Sequence, residues 1–168
     1  MTNRKRPQVY ITRKLPDAVE TRMRELFDAE LNVDDKPRTR EELIAAIKSA
    51  DVLVPTVTDR IDAALIAEAG PQLKLIASFS NGTDHIDIDA AAKKGITVTN
   101  TPDVLTEATA DVAILLLLAA ARRAAEGMRL IRERRWIGWR PTQLMGLGLA
   151  GKNLGIVGMG RIGLAVAR

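Results

Sequence analysis

The chain has 168 residues, of which 46% are hydrophobic and 27% charged, a composition typical of globular rather than disordered proteins. Cysteine is absent, which excludes disulfide frameworks, thiolate nucleophiles and cysteine metal sites. The longest apolar run, residues 112–121, is about half as long as the ~20 residues that a membrane span needs. No apolar signal region follows the charged first residues, so we expect a cytoplasmic protein with no membrane partner.

The net charge of +4 comes from one arginine cluster rather than from the whole chain. Residues 122–140 contain seven arginines and only two glutamates. Such a cluster could bind nucleic acid or another polyanion. Charge runs are more often solvated helix faces, and aromatic residues for base stacking are scarce at 3%. We therefore favour an exposed helix face near an interface and expect no nucleic-acid partner.

Short aliphatic segments alternate with helical patterns over the first hundred residues, which predicts a parallel sheet of βαβ units. Pro16 begins the first helix, Thr39 to Glu42 form a capping-box pattern, and Gly95 ends a later helix. We predict a flavodoxin-like, doubly wound α/β domain over residues 1–102. Its strands are predicted at residues 8–12, near Leu31 and Val33, and at 51–54, 73–77 and 96–98, with later helices at 61–69 and 86–94.

After Pro102 the pattern changes to a single long helix, predicted from Val104 to about Leu130, followed by an irregular segment with two tryptophans. Residues 153–157 are predicted to form a strand that leads directly into a glycine-rich turn and a helix. We assign residues 103–168 to an inter-domain helix, a dimerisation segment and the first strand–turn–helix of a Rossmann domain.

The turn has the pattern Gly158-x-Gly160-x-x-Gly163. In a dinucleotide-binding turn, the first glycine permits the tight bend and the second lets the backbone approach a pyrophosphate. The third lets the helix pack closely on the strand. The alternative is a tight turn that binds nothing. An acidic or basic residue that reads the ribose is expected about 20 positions later, beyond Arg168. We therefore expect the sequence to be an incomplete, N-terminal portion.

Four segments carry a family resemblance: residues 80–88 (SNGTDHIDI), 95–113 (GITVTNTPDVLTEATADVA), 136–139 (WIGW) and 151–163 (GKNLGIVGMGRIG). In this order and spacing they resemble the N-terminal half of the D-isomer-specific 2-hydroxyacid dehydrogenases, and most closely the glyoxylate/hydroxypyruvate reductase branch. The similarity covers nearly the whole chain. It implies reduction of a small 2-oxo acid with NAD or NADP.

The resemblance also implies roles for individual residues. Backbone N–H groups at Asn81 and Gly82 would hold the substrate carboxylate, although a strand-to-helix turn alone would also explain them. Thr106 falls near the expected nicotinamide position, and the equally weighted alternative is an ordinary residue at a helix start. The residues implied to bind the cofactor are Thr106, Gly158, Gly160, Arg161, Ile162 and Gly163.

No residue of this chain is assigned to catalysis. His85, the only histidine, is expected to be a loop or surface residue, because the family's acid is a later histidine, oriented by a glutamate and accompanied by an arginine. All three positions would lie beyond Arg168, so the chain alone is expected to be inactive. One histidine and scattered acids predict no metal site. The alternative function is a non-catalytic module that dimerises with, or regulates, a full-length relative.

A homodimer is predicted through residues 104–148. The helix is apolar on too many sides for one small core, with leucines at positions 115–118. Tryptophan and arginine, which are enriched at interface hot spots, are concentrated just after it. The resemblance also implies a two-fold dimer through this region, although a missing second half could cover the same side chains within one subunit.

Overall fold

The computed structural model describes residues 6–168, which form two units, one ending at Pro102 and the other spanning Asp103–Arg168. In the first unit five parallel strands lie in the order β2-β1-β3-β4-β5, which confirms the predicted doubly wound α/β fold. The strands are β1 (Gln8–Ile11), β2 (Asp28–Glu30), β3 (Val52–Val54), β4 (Leu75–Ala77) and β5 (Thr97–Thr99). The helices are α1 (Asp17–Leu26), α2 (Arg40–Ser49), α3 (Ala63–Ala67) and α4 (Ile88–Lys93).

Local sequence signals place the helices of this unit. The predicted capping box begins α2: the Thr39 hydroxyl accepts from the Glu42 N–H, and the Glu42 carboxylate accepts from the Thr39 N–H at 2.7 Å. Asp62 and Asp87 cap α3 and α4. Each of these side chains accepts a backbone N–H of the first turn, without the reciprocal bond of a capping box. These caps fix where each helix begins and so where the preceding loops end.

The core lies on both faces of the sheet, as expected for parallel strands covered by helices. One cluster packs the central strand residues Leu53 and Ile76 against α2, α3 and α4. A smaller cluster on the other face contains Ile11 and Val54, with α1 packed on it through Val19. Because all five strands are parallel, their carboxyl ends meet at one edge of the sheet.

The predicted second strand is wrong in position. The structure places β2 at Asp28–Glu30, before Leu31 and Val33, because Gln8 pairs with Asp28 and sets the register of the edge strand. Val33 instead lies 69% exposed. The position of this edge strand is determined by its backbone hydrogen bonds with β1, so its side chains need not be apolar. The hydrophobic pattern therefore predicted the strand a few residues too late in the chain.

In the second unit the predicted single helix is broken. It forms α5 (Thr106–Ala121) and α6 (Ala124–Arg132), because Arg123 between them adopts a left-handed conformation with φ of 53°. The Arg123 guanidinium pairs with Glu126 at 2.6 Å. The Leu147 N–H donates at 2.8 Å to the carbonyl of Ala121, the last residue of α5. A long-range contact thus ends a helix that local propensity would continue.

The predicted strand at residues 153–157 is not a strand in the structure, although α7 (Arg161–Ala167) begins where the glycine turn predicts. A strand requires a neighbour for its ladder hydrogen bonds, and between residues 103 and 168 no strand is present.

Every helix among residues 6–168 is too short or too polar to span a lipid bilayer.

Candidate functional site

The loop after β4 is held by short polar side chains at the carboxyl edge of the sheet. The Asn100 amide donates to the carbonyl of Asn81 at 2.7 Å, and the Ser80 hydroxyl donates to the carbonyl of Gly82 at 2.7 Å. Thr101 donates through both its N–H (2.8 Å) and its hydroxyl (3.0 Å) to the carbonyl of Ser80. Three successive carbonyl oxygens are therefore fixed by partners in the chain.

Fixing these carbonyls also orients the next amides. All peptide bonds described are trans, so each N–H points opposite to the carbonyl of the same peptide. The N–H groups of Gly82 and Thr83 accordingly point away from Asn100 and Ser80, and neither finds an acceptor within residues 6–168. Two adjacent oriented donors can bind a carboxylate. The sequence predicted the N–H groups of Asn81 and Gly82 for this role, and the N–H of Thr83 is a further candidate donor in the same loop.

Gly82 is not required by the fold itself. Its φ is not left-handed, and a Cβ atom built on it would meet only the Asp84 carboxylate, at an ordinary 3.4 Å. The position therefore tolerates a small side chain in the free protein. What a side chain at this position would obstruct is the space in front of the loop's amides.

His85 lies in the turn of this loop and is half-buried. Its Nε2 atom is 3.0 Å from the hydroxyl of Ser78. Burial lowers the pKa of His85 below its usual value, an effect that the negative charges of Asp59 and Asp84 partly oppose. His85 is thus an internally hydrogen-bonded, neutral side chain at neutral pH.

The crevice between the ends of β1 and β3, where the strand order reverses, is filled by protein side chains. Asp59 is buried and accepts from the Thr12 hydroxyl at 2.5 Å and from the Thr56 N–H at 2.8 Å. Switch points of this kind often bind ligands. Here the Asp59 side chain links residues that follow β1 and β3.

In the second unit the three glycines of the turn differ in their local geometry. Gly158 adopts a φ of +101°, which L side chains rarely adopt. A Cβ on Gly163 would collide with the Gly158 carbonyl oxygen, so only glycine lets α7 pack against the turn. Gly160 precedes α7 and would meet no atom within 4 Å, and no side chain caps the helix. The turn is therefore tight, with open space in front of its second glycine.

The structure brings two of the predicted cofactor residues together. Thr106 is the first residue of α5 and shares a cleft of about 360 Å³ with Arg161, the first residue of α7. The Arg161 guanidinium pairs with Asp103 at 2.8 Å. Ile162 follows in the first turn of α7. Asn81 and Gly82 belong to the first unit, so the loop after β4 and the glycine turn are described separately.

Sequence reasoning missed the residues that hold the loop: Ser78, Ser80, Asn100 and Thr101. The available signal was the run of short polar side chains directly after two adjacent strands. Between residues 6 and 168 there is no group of three or more side chains that could hold a metal ion.

The sequence of the chain matches a known protein family over most of its length. The family described as D-isomer specific 2-hydroxyacid dehydrogenase, catalytic domain, matches residues 9–157. The chain belongs to this family. The predicted family resemblance is thereby confirmed.

Similar proteins extend this result. The chain is 46% identical to a glyoxylate reductase of Korarchaeum cryptofilum, over 97% of the chain and 49% of the relative, and 46% identical to one of Thermococcus litoralis, over 97% and 50%. The chain therefore spans about half the length of the curated relatives it matches.

Two solved structures agree with the fold of the chain. A putative NAD-binding D-isomer specific 2-hydroxyacid dehydrogenase from Polaromonas superposes with a TM-score of 0.88 at 45% identity, over 96% of this chain and 50% of that one. An NADPH-dependent glyoxylate/hydroxypyruvate reductase from Sinorhizobium meliloti, in complex with NADP and malonate, gives 0.76 at 32% identity, over 97% and 49%.

Proposed function

We propose that the chain supplies the carboxylate loop and the phosphate-binding turn of a reductase that converts a small 2-oxo acid, of the glyoxylate or hydroxypyruvate type, to its D-2-hydroxy acid with NADH or NADPH. The observation that carries this is the family match over residues 9–157, together with relatives named glyoxylate reductases. Residues 1–102 would form the substrate domain, and residues 103–168 the dimerisation segment and the start of the nucleotide-binding domain.

In this function the first unit orients the 2-oxo acid. The N–H groups of Gly82 and Thr83 donate to the carboxylate, and with Asn81 they form a loop whose carbonyls are already fixed. Donors that are fixed before binding need no reorganisation, which favours both affinity and alignment of the carbonyl carbon. A malonate carboxylate is also the ligand type found in the Sinorhizobium meliloti reductase structure.

The second unit fits a dinucleotide. Gly160 leaves open the space that a pyrophosphate would fill, while Gly158 and Gly163 keep the turn tight. The N–H groups of Arg161 and Ile162 begin α7 without a capping side chain, which suits an anion. When bound, the nicotinamide supplies the hydride for the carbonyl carbon. Thr106 would lie near the nicotinamide. We assign the proton donor to no residue between 6 and 168, and NAD and NADP both remain candidates.

We also propose a homodimer built on the second unit. Leu115 and Leu116 on α5 are each 62% exposed, and Trp139 is exposed in the segment that follows. Several large apolar side chains exposed in one segment are typical of an interaction surface. In the arginine cluster Arg123 and Arg135 already pair with neighbouring glutamates, so we do not propose a nucleic-acid partner. A cytoplasmic location stays a prediction.

The test is nucleotide oxidation by the full-length polypeptide that carries this sequence. We expect glyoxylate or hydroxypyruvate to oxidise NADH or NADPH with saturation. Acetaldehyde, which has the carbonyl but no carboxylate, is expected to be a poor substrate. Residues 1–168 purified alone are expected to give no turnover above a buffer blank. Equal activity on acetaldehyde would contradict the role of the loop, and no activity on any 2-oxo acid would contradict the function.

A further inference from the structure

We infer that Ser80, Ser78 and His85 are positioning residues for the carboxylate loop. A hydrogen-bond chain that runs in one direction, from His85 through both serines, holds the carbonyl of Gly82 inward. The N–H of Thr83, in the same peptide, is thereby held outward toward the ligand. This inference rests on the proposed function, since it concerns the loop that would bind the substrate carboxylate.

The direction of the chain follows from counting protons. A carbonyl oxygen only accepts, so the Ser80 hydroxyl must donate its one proton to Gly82, at 2.7 Å. The 2.6 Å contact between the two serine hydroxyls then requires the proton of Ser78. Ser78 has no proton left for His85, so its oxygen accepts from Nε2 at 3.0 Å. The geometry therefore assigns the proton of the neutral His85 ring to Nε2.

Burial makes this chain hard to replace by water. Ser78 is 3% exposed and Ser80 is 7% exposed, so a hydroxyl that lost its partner would be left unpaired in the interior. The neighbouring peptide is fixed independently, because Asn100 donates to the carbonyl of Asn81. Ser80 therefore controls one peptide of the loop, and its removal should affect the ligand-facing amide of Thr83 more than the strand behind it.

The first experiment separates positioning from general stability in the full-length polypeptide. Ser80→Ala removes the donor to Gly82, and we expect the KM for glyoxylate to rise about tenfold, while kcat falls less and the KM for the nucleotide changes less than about twofold. Ser78→Ala and His85→Ala break the chain further from the loop and should raise the glyoxylate KM about threefold. Ser49→Ala, which removes a hydroxyl from the exposed face of α2, is the matched control and should change neither constant.

Rescue tests whether a hydrogen bond to Ser78 from this position holds the loop. The side-chain amide nitrogen of glutamine can take the place of Nε2 and donate to Ser78, so His85→Gln should restore the glyoxylate KM to within about twofold of wild type. Asparagine is too short to reach Ser78, so His85→Asn should behave like His85→Ala. If glutamine and alanine gave the same KM, the hydrogen-bonding role of His85 would be contradicted.

The second experiment does not depend on activity. In protein labelled with ¹⁵N-histidine, the His85 signal is identified by its loss in His85→Gln, and we expect a neutral ring protonated at Nε2. A ring protonated at Nδ1, or an unchanged glyoxylate KM in Ser80→Ala, would overturn the positioning role in an active enzyme. A wild-type polypeptide that reduces no 2-oxo acid would instead overturn the proposed function, and with it the role of the chain toward a substrate.

Discussion

The two units of the chain bury their apolar side chains to very different extents. In the first, Ile11, Leu53 and Ile76 are fully buried between the sheet and its helices. In the second, Ala110 is the one buried hydrophobic residue among those described, and the leucines of α5 are largely exposed. The first unit thus owes its stability to its own core, whereas the second presents apolar surface suited to a partner.

The largest effect should come from opening the core of the first unit. Ile76→Ala removes a fully buried side chain from the central sheet, and we expect a loss of about 2–5 kcal/mol in the free energy of unfolding. Leu116→Ala, on exposed α5, should cost less than about 1 kcal/mol in the monomer. Urea unfolding followed by far-ultraviolet circular dichroism at low protein concentration compares the two, and equal losses would contradict the difference between the units.

If the proposed dimer forms through the second unit, exposed apolar residues there should matter for self-association, whereas those of the first unit should not. Replacing Trp136 and Trp139 together by alanine should weaken self-association at least tenfold, because tryptophans commonly dominate interface energies. Sedimentation equilibrium of the full-length polypeptide measures this, with Val33→Ala as a control at an exposed apolar position of the first unit. A wild-type protein that is monomeric at tens of micromolar would show that the dimer is wrong.

A smaller effect is expected where the first unit buries polar rather than apolar groups. Asp59→Ala removes the acceptor of the Thr56 N–H and leaves the Thr12 hydroxyl only its longer bond to the carbonyl of Val54, and we expect a loss of about 1–3 kcal/mol. Thermal unfolding of this variant should be compared with Asp34→Ala, an exposed aspartate in the same unit. Equal melting temperatures for the two variants would contradict a stabilising role of Asp59.

The smallest effect is on the pH dependence of stability. Burial lowers the pKa of His85 below 6.5, so below that pH the unfolded chain binds more protons than the folded one. Stability should therefore fall slightly as the pH drops from about 6.5 through the folded-state value, and the fall should be shallower in His85→Gln, which has no titrating ring. Melting temperatures between pH 7.5 and 5.5 test this, and identical slopes for both proteins would contradict it.

The sequence predicted well those features that depend on near neighbours along the chain. Thr39 and Glu42 interact across one helical turn, so the capping box could be identified directly. The tight turn at Gly158 and the close approach of Gly163 to it follow from their spacing in the same way. In both cases the interacting groups lie within a few residues of each other, and the spacing alone determines the contact.

Features that depend on distant partners could not be predicted. The left-handed Arg123 and the contact between Leu147 and Ala121 break the helix through residues more than twenty positions apart. The loop at Gly82 is held by Asn100 and Ser80, and only the pairing of β4 with β5 brings Asn100 to it. The position of β2 likewise depends on its register with β1.

In the proposed function each unit carries the binding site for one of the two substrates, and paired glycine substitutions test this division. Both Gly82 and Gly160 have room for a methyl group in the free protein. In the full-length polypeptide we predict that Gly82→Ala raises the KM for glyoxylate and leaves that for the nucleotide unchanged, and that Gly160→Ala does the reverse. If both variants raised the same constant, or neither changed any, this division between the two units would be contradicted.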